Sequence, residues 1–336
     1  MDTNNIFCTC VLGDSQYVVA AITAAKSYRD VGGKLQFWCL WSDLVEDDVE
    51  ILKQYFDRVI EVPILYREMP KFQSQRKDAM YGRWINKSFT RFNCFNPEFI
   101  SQLDVKFVCE IDSDVLFVKN PDNIFDAIGP NSQGVMPIGV ICDTPYTLQY
   151  KIRQPFVCNS ANGPRKYHHG EIVPTKQVVE CMKQWRCIPG YIIIFSPNDK
   201  HWNRFNHFFN NFVPCKSLLG YDEQLLGHMV ADHKFVVNVS PGYAWHVGKT
   251  KWYSGEVWCQ HYAAGHPWLM NSGDYPDVTQ WWDAWYKLLS DTSDENKFIA
   301  LLTKVRDDNK SIIEFNNATR EQLLIEGKID ASGKMI

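Results

Sequence analysis

The sequence predicts an α/β fold in which an open, mainly parallel sheet is covered by helices on both faces. Three observations carry that reading. Short apolar, β-branched runs alternate with helical patterns from residue 6 onward. The clearest later run, residues 105–111, passes straight into Asp112-Ser113-Asp114. The composition, 45% hydrophobic and 22% charged over 336 residues, is ordinary globular usage, which excludes disordered, collagen-like and coiled-coil architectures. Parallel strands need crossovers, and alternating strands and helices supply them.

Residues 6–12 read as a buried strand that ends at Gly13-Asp14-Ser15, where Asp14 or Ser15 can cap a helix over residues 16–29. Val18, Val19, Ala21, Ile22 and Ala25 give that helix an apolar face. A strand at 35–41, an amphipathic helix at 46–56 and a strand at 58–62 complete a Rossmann-like first half. Residues 66–82 are polar and carry Arg67, Lys71, Arg76 and Lys77, with Arg83 beside them; they suit a solvated loop or a mobile lid over an anion. Helix is expected around 85–95 and 124–128, and strand at 105–111 and around 134–140. Residues from about 142 to 186 lack a period and contain Pro145, Pro155, Pro164 and Pro174, as an insertion would. Strands at 191–195 and 234–239 and helices at 202–209 and 222–229 follow. Seven of the twelve tryptophans lie from Trp245 onward, and Trp281, Trp282 and Trp285 have helical spacing suited to core or docking. Beyond Asp291 the pattern is one or two amphipathic helices with a weakly ordered end. The layout is a domain over 1–270 and a helical extension over 271–336.

Lys+Arg number 35 against 39 Asp+Glu, a formal charge of −4, so no basic excess exists to release counterions from a polyanion and general nucleic-acid binding is excluded. The apolar run after the acidic N-terminus is too short for a signal segment, and no stretch approaches the roughly 20 apolar residues of a membrane span. Eleven cysteines, an odd number scattered through strand-like runs, suit reduced thiols better than a disulfide framework. The protein therefore reads as cytoplasmic. Neither Cys8 and Cys10 nor Cys181 and Cys187 have Cys-x-x-Cys spacing, so that kind of zinc site has no support.

Asp112-Ser113-Asp114 is the one Asp-x-Asp in the chain. Carboxylates at i and i+2 project to one side of an extended backbone, here at the carboxyl end of a buried strand, where open α/β sheets bind ligands. Like charges there need a cation or strong donors, and a hard divalent metal is the natural partner; two acids capping the next turn are the structural alternative. Gly13 stands alone, without Gly-x-Gly-x-x-Gly or a Gly-x-x-x-x-Gly-Lys-Ser/Thr cradle, so phosphates must be held by metal and side chains. That favours transfer from a nucleotide sugar, in which a cation stabilises the departing diphosphate. Two further clusters stand out: His261-Tyr262-Ala263-Ala264-Gly265-His266-Pro267-Trp268, and Gly220-Tyr221-Asp222-Glu223-Gln224, whose acids could be helix-dipole partners or catalytic groups.

In order, these pieces resemble the glycogenin-like retaining glycosyltransferases, family 8. Residues 7–12 through Tyr17 resemble the family's first strand and uracil-packing tyrosine, and residues 90–95 its Thr-Lys-Leu helix, with Arg91 at the phosphate-contacting lysine. Asp112-Ser113-Asp114 and residues 120–125 resemble the metal-binding Asp-x-Asp and its trailing segment. Residues 190–197 resemble the strand after Asn-Ser-Gly, Asp222-Glu223-Gln224 the Asp-Gln beneath the sugar, and residues 261–268 the loop that closes over metal and diphosphate. Three departures stand out: Ile188-Pro189 replaces Asn-Ser, Glu223 adds an acid, and His266 stands where lysine is usual.

The resemblance implies an A-type glycosyltransferase fold and a retaining hexosyltransferase, with UDP-glucose the leading donor and Mn²⁺, or Mg²⁺, as cofactor. Asp112, Asp114 and His261 would ligate the metal, with Ser113 between the acids. Tyr17, with backbone near Cys10 and Leu12, would hold uracil, and Arg91, Gly265 and His266 would meet the diphosphate. Asp222, Glu223 and Gln224 would lie at the reacting face. The acceptor would be a carbohydrate or protein, and a homodimer is an admissible assembly. A catalytically inactive carbohydrate- or UDP-sugar-binding module is the other reading.

Overall fold

The computed structural model describes residues 4–71, 82–100, 105–128, 138–140, 159–160, 163–164, 167–176, 178–179, 190–215, 220–233, 235–246, 255–262 and 266–334. Most of the expected insertion at 142–186, much of the 66–82 stretch, Cys181, Cys187, Ile188-Pro189 and Gly265 lie outside the described residues.

The first half follows the alternating pattern. Strand β1 (Asn5–Leu12) leads into α1 (Ser15–Asp30), then β2 (Gln36–Ser42), α2 (Glu46–Lys53) and β3 (Arg58–Glu61). The turn between β1 and α1 needs Gly13, at φ +44°, and Asp14 caps the helix by accepting from the Gln16 amide at 3.0 Å. β4 (Phe107–Ile111) then returns to the far side of β1. The later strands of the main sheet are β6 (Ile138–Val140), β9 (Ile172–Val173), β10 (Ile192–Phe195) and β11 (Val236–Asn238), with a two-residue hairpin, β7 (Asn159–Ser160) and β8 (Gly163–Pro164), apart from it.

The eight-stranded order is β3-β2-β1-β4-β10-β6-β11-β9. Strands β3, β2, β1 and β4 are parallel, β10 runs antiparallel to both of its neighbours, and β9 is antiparallel to β11. The chain moves outward from β1 to β3 and then crosses back to β4, so the order reverses between β1 and β4. Open α/β sheets form their ligand crevice at such a switch point, outside the carboxyl ends of the strands. Those ends are Gly13-Asp14 and Asp112-Ser113-Asp114.

Four details depart from the sequence reading. The segment expected as a helix at 85–95 is a 3₁₀ turn, Ser88–Phe95, as is Asp122–Ile128. A second sheet, β12 (Trp245–His246), β13 (Cys259–His261) and β5 (Val115–Phe117), joins segments whose apolar runs are too short to show a period. The helices α3 (Asp199–Asn211) and α4 (Tyr221–Ala231) extend beyond their apolar cores because Asn198 and the first-turn acids start them earlier. Residues 329–334 pack in place of fraying. Ile329 is buried, the Asp330 carboxylate accepts from the Ser332 and Lys334 amides, and Gly333 lies against the Asp274 backbone so closely that a side chain would collide.

Helices α5 (Pro276–Ser290), α6 (Glu295–Asp308) and α7 (Lys310–Ile325) follow. Trp281, Trp282 and Trp285 are core residues: with Phe298 and Leu302 they belong to one apolar cluster with Val18, Ile22 and Tyr28 of α1. Burying roughly 150–250 Å² per indole corresponds to an upper estimate of about 4–6 kcal/mol each. The opposite face of the sheet has its own core, containing Cys8, Phe89, Phe92, Phe195 and Leu225. All described cysteines are free thiols.

Candidate active site

At the end of β4 the backbone leaves the sheet and turns into β5. Because β5 pairs antiparallel with β13, His261 sits opposite Val115, and the Tyr262 amide donates to the Asp114 carbonyl at 2.9 Å. This register carries His261 across 147 residues of sequence to the two acids. Its Nε2 is 3.1 Å from Asp112 Oδ2 and 3.3 Å from Asp114 Oδ1. One ligand atom from each of the three residues lies within 4.8 Å of the others. Neighbouring ligands at right angles around a cation, each about 2.1 Å from it, stand about 3.0 Å apart. The donor set, two carboxylates and an imidazole, therefore fits a hard or borderline divalent cation. Ser113, between the acids, is buried.

Arg91, from the Ser88–Phe95 turn, lies behind this cluster. Its Nε and Nη2 pair with Glu110 at 3.0 and 2.6 Å, Nη2 also meets the Gly190 carbonyl at 2.7 Å and Asp112 Oδ1 at 2.6 Å, and Nη1 is 3.6 Å from Asp222 Oδ2. Asp222 and Glu223 both fall in the first turn of α4 but differ in use. Glu223 accepts from the Gly220 amide at 2.8 Å and the Gly190 amide at 3.3 Å, so its carboxylate reaches back to cap the start of α4. Gln224 is fully buried and its amide is spent on Cys215, accepting from the backbone N–H at 3.1 Å and donating to the carbonyl at 2.9 Å. The structure thus brings Asp112, Asp114, His261, Arg91 and Asp222 together and turns Gln224 away from them.

Electrostatics follow from this packing. Burial would raise Asp112, but Arg91 and His261 overcome it and hold the carboxyl below its usual range. Asp222 is pushed up by burial, against the pull of Arg91. Glu223 is raised to about 7, by burial and then by the Asp222 charge, its backbone donors offsetting part of this. For His261, burial acts downward, yet the two aspartates prevail and raise it to about 10. A site that stabilises a cation at the imidazole is one that favours positive charge at that point.

The side of the crevice beside β1 and α1 is aromatic. Tyr17 meets Trp84 and His266 edge-on at 5.9 Å each, and His266 stacks on Trp268 at 4.9 Å. Burial lowers the His266 pKa, keeping the ring neutral at pH 7, and its Nδ1 has no hydrogen-bond partner among the described residues. Cys10 and Leu12 are half-buried at the carboxyl end of β1. Arg83 pairs with Asp14 at 2.6 Å and lies over Trp84. Sequence reasoning missed Trp84, for which no periodic signal exists, and Glu110, for which one does: a carboxylate inside a buried strand demands a partner.

The fold and its crevice define the class of architecture as the A-type glycosyltransferase fold. No protein-family model and no curated protein sequence matches the chain. Among solved structures, the apo bifunctional glycosyltransferase WbbM superposes with a TM-score of 0.54 at 11% identity, over 90% of this chain and 52% of that one. This chain therefore spans about half of WbbM's length, and at that identity the likeness is one of fold. Superposition on the galactosyltransferase LgtC, in complex with donor and acceptor sugar analogues, gives 0.47 at 13% identity over 89% and 95% of the two chains. GlyE, a glycosyltransferase of Streptococcus pneumoniae TIGR4, gives 0.46 at 12% over 89% and 63%. Among the described residues no helix is long and apolar enough to cross a membrane.

Proposed function

We propose that this protein is a metal-dependent glycosyltransferase that moves a hexose, glucose foremost, from a UDP-sugar to a carbohydrate or protein acceptor with retention. The observation that carries the reading is the convergence of Asp112, Asp114 and His261 at the switch point of an A-type fold. Those three residues would hold Mn²⁺ or Mg²⁺. When bound, the cation would stabilise charge on the departing diphosphate. Tyr17 and Trp84 would flank the uracil beside Cys10 and Leu12, and the unpaired Nδ1 of His266 would meet a diphosphate oxygen, with Gly265 beside it. Asp222, half-buried and joined to the metal ligands through Arg91, is the acid we assign to the reacting face of the sugar. Glu223, committed to backbone amides, would shape that face, and Gln224 would support it from behind by anchoring Cys215. Arg91 has its Nε–Nη2 edge occupied by acids and a carbonyl, so we assign it the alignment of those acids. An acid beneath the sugar, in place of a base beside the acceptor, is what favours retention. Residues 1–270 would form the transferase domain and 271–336 its helical extension, in a cytoplasm that keeps the thiols reduced.

The test is calorimetry of UDP with and without Mn²⁺, followed by proton NMR of the first product from UDP-glucose. Chelator-sensitive UDP binding and an α-configured product are expected. UDP binding indifferent to chelator, or a β product, would overturn the reading. Tight UDP–Mn²⁺ binding without turnover of any UDP-sugar would establish the inactive binding module.

A further inference from the structure

Glu110 is neither one of the three candidate metal ligands nor one of the acids of α4, yet it is the most buried carboxylate among the described residues, at 1% exposure. It is the penultimate residue of β4, with Cys8 of β1 on one side and Ile193 of β10 on the other, facing the apolar core that contains both. An isolated charge there would be very costly; among the described residues Arg91 is the group that offsets the cost, and burial still holds the carboxyl up at about 7. The pairing is bidentate, through Nε at 3.0 Å and Nη2 at 2.6 Å. A guanidinium is a rigid planar fork, so holding one edge sets the direction of the remaining nitrogen. That nitrogen, Nη1, faces Asp222 at 3.6 Å, while Nη2 also touches Asp112 at 2.6 Å. Asp112 follows β4 and Asp222 begins α4. Their side chains are linked through Arg91, whose orientation Glu110 dictates.

We propose that Glu110 is a positioning residue: by clamping the Nε–Nη2 edge of Arg91 it registers Asp222 against the metal ligands. It also draws on the arginine's positive charge, which would otherwise fall on Asp112 and compete with a dication. The proposal rests on the metal-dependent reading above. A pair serving stability alone behaves differently, since buried ion pairs can often be replaced by apolar residues of similar volume without loss.

Two variants separate these roles. In Glu110→Gln, a crystal structure should show Arg91 Nη1 displaced from Asp222 as the guanidinium shifts toward Asp112, and calorimetry should show Mn²⁺ binding weakened by about tenfold. In the apolar pair Glu110→Leu with Arg91→Met, which keeps the volume and removes the competing cation, Mn²⁺ should bind at least as tightly as to the wild type, with transfer lost. Arg91 unmoved in Glu110→Gln, or an apolar pair that transfers at the wild-type rate, overturns the proposal. If Glu110→Gln fails to fold, the apolar pair decides alone. If the wild type binds no Mn²⁺, the metal reading fails, and the position of Arg91 in Glu110→Gln still decides whether Glu110 aims it.

Discussion

At the scale of single residues, the two acids that open α4 are adjacent in sequence but have different surroundings. Both oxygens of Glu223 accept backbone hydrogen bonds, whereas Asp222 faces Arg91. Asp222→Asn should therefore lower turnover at least about tenfold more than Glu223→Gln, a gap of about 1.4 kcal/mol in barrier. Glu223→Gln should instead cost about 1 kcal/mol of stability through the weakened cap. Steady-state rates and urea melts of both variants check this, and equal small rate effects would mean that neither acid touches the reaction. For the metal, Asp114→Asn should abolish Mn²⁺ binding, and the protein without metal should lose stability, because the buried His261 imidazolium loses the carboxylate that does most to raise it, which outweighs the relieved repulsion with Asp112. His261→Ala should weaken Mn²⁺ less, since two carboxylates remain. Calorimetry with thermal melts alongside separates the cases.

At the scale of elements, the crevice depends on how α1 is tied to the loops around it. Tyr28 donates to the Asp122 carboxylate at 2.6 Å and accepts from the Leu35 amide at 2.9 Å, while Asp122 also accepts from the Lys34 amide at 2.9 Å. Tyr28 and Asp122 are buried, so Tyr28→Phe strands an amide and a carboxylate oxygen at a cost of about 1–3 kcal/mol. Urea denaturation should show that loss with Mn²⁺ affinity unchanged, since Tyr28 lies far along α1 from its N-terminus. β5 and β13 illustrate an element that only partnership defines. Each has three residues, and their pairing is what delivers His261 to the aspartates.

At the scale of the whole molecule, stability depends on two cores and on buried histidines. Trp285, stacked on Trp281 at 5.8 Å, ties α5 into the core under α1, and Trp285→Ala should cost about 3–5 kcal/mol. On the other side, His201 and His233 are buried with rings 5.6 Å apart. Burial holds His233 down to about 4, helped by His201 and Arg204, and His201 is lowered as well. The unfolded chain, with ordinary histidines near 6.5, then binds more protons than the folded one between about pH 6.5 and 4. The contribution of these histidines is full above that window and falls as pH drops through it, whereas Glu223, raised to about 7, contributes in the opposite sense. Thermal melts of wild type and His233→Gln from pH 7.5 to 4.5 isolate the histidine part: the variant should gain on the wild type as pH falls, and a difference that does not change with pH would refute the assignment.

How much was legible in advance depended on the range of the interaction responsible. Local signals sufficed for the alternating first half, a cap at Asp14 or Ser15, the buried strand ending in Asp112-Ser113-Asp114 and the tryptophan face of α5, because periodicity and capping act within a few residues. Where local periodicity is weak the reading failed: the 3₁₀ turn at Ser88–Phe95, the second sheet and the packed end beyond Ile325. The ordered motifs brought Asp112, Asp114, Arg91, Asp222 and His261 into one candidate set before any contact was known. The division of labour within that set came from tertiary contacts alone. Arg91 faces inward because a carboxylate on a neighbouring strand must be neutralised, and Gln224 faces away because the Cys215 backbone needs its amide. Side-chain type and spacing can nominate a site, but the desolvation cost of each buried polar group decides which partner it takes, and that partner is chosen by the fold.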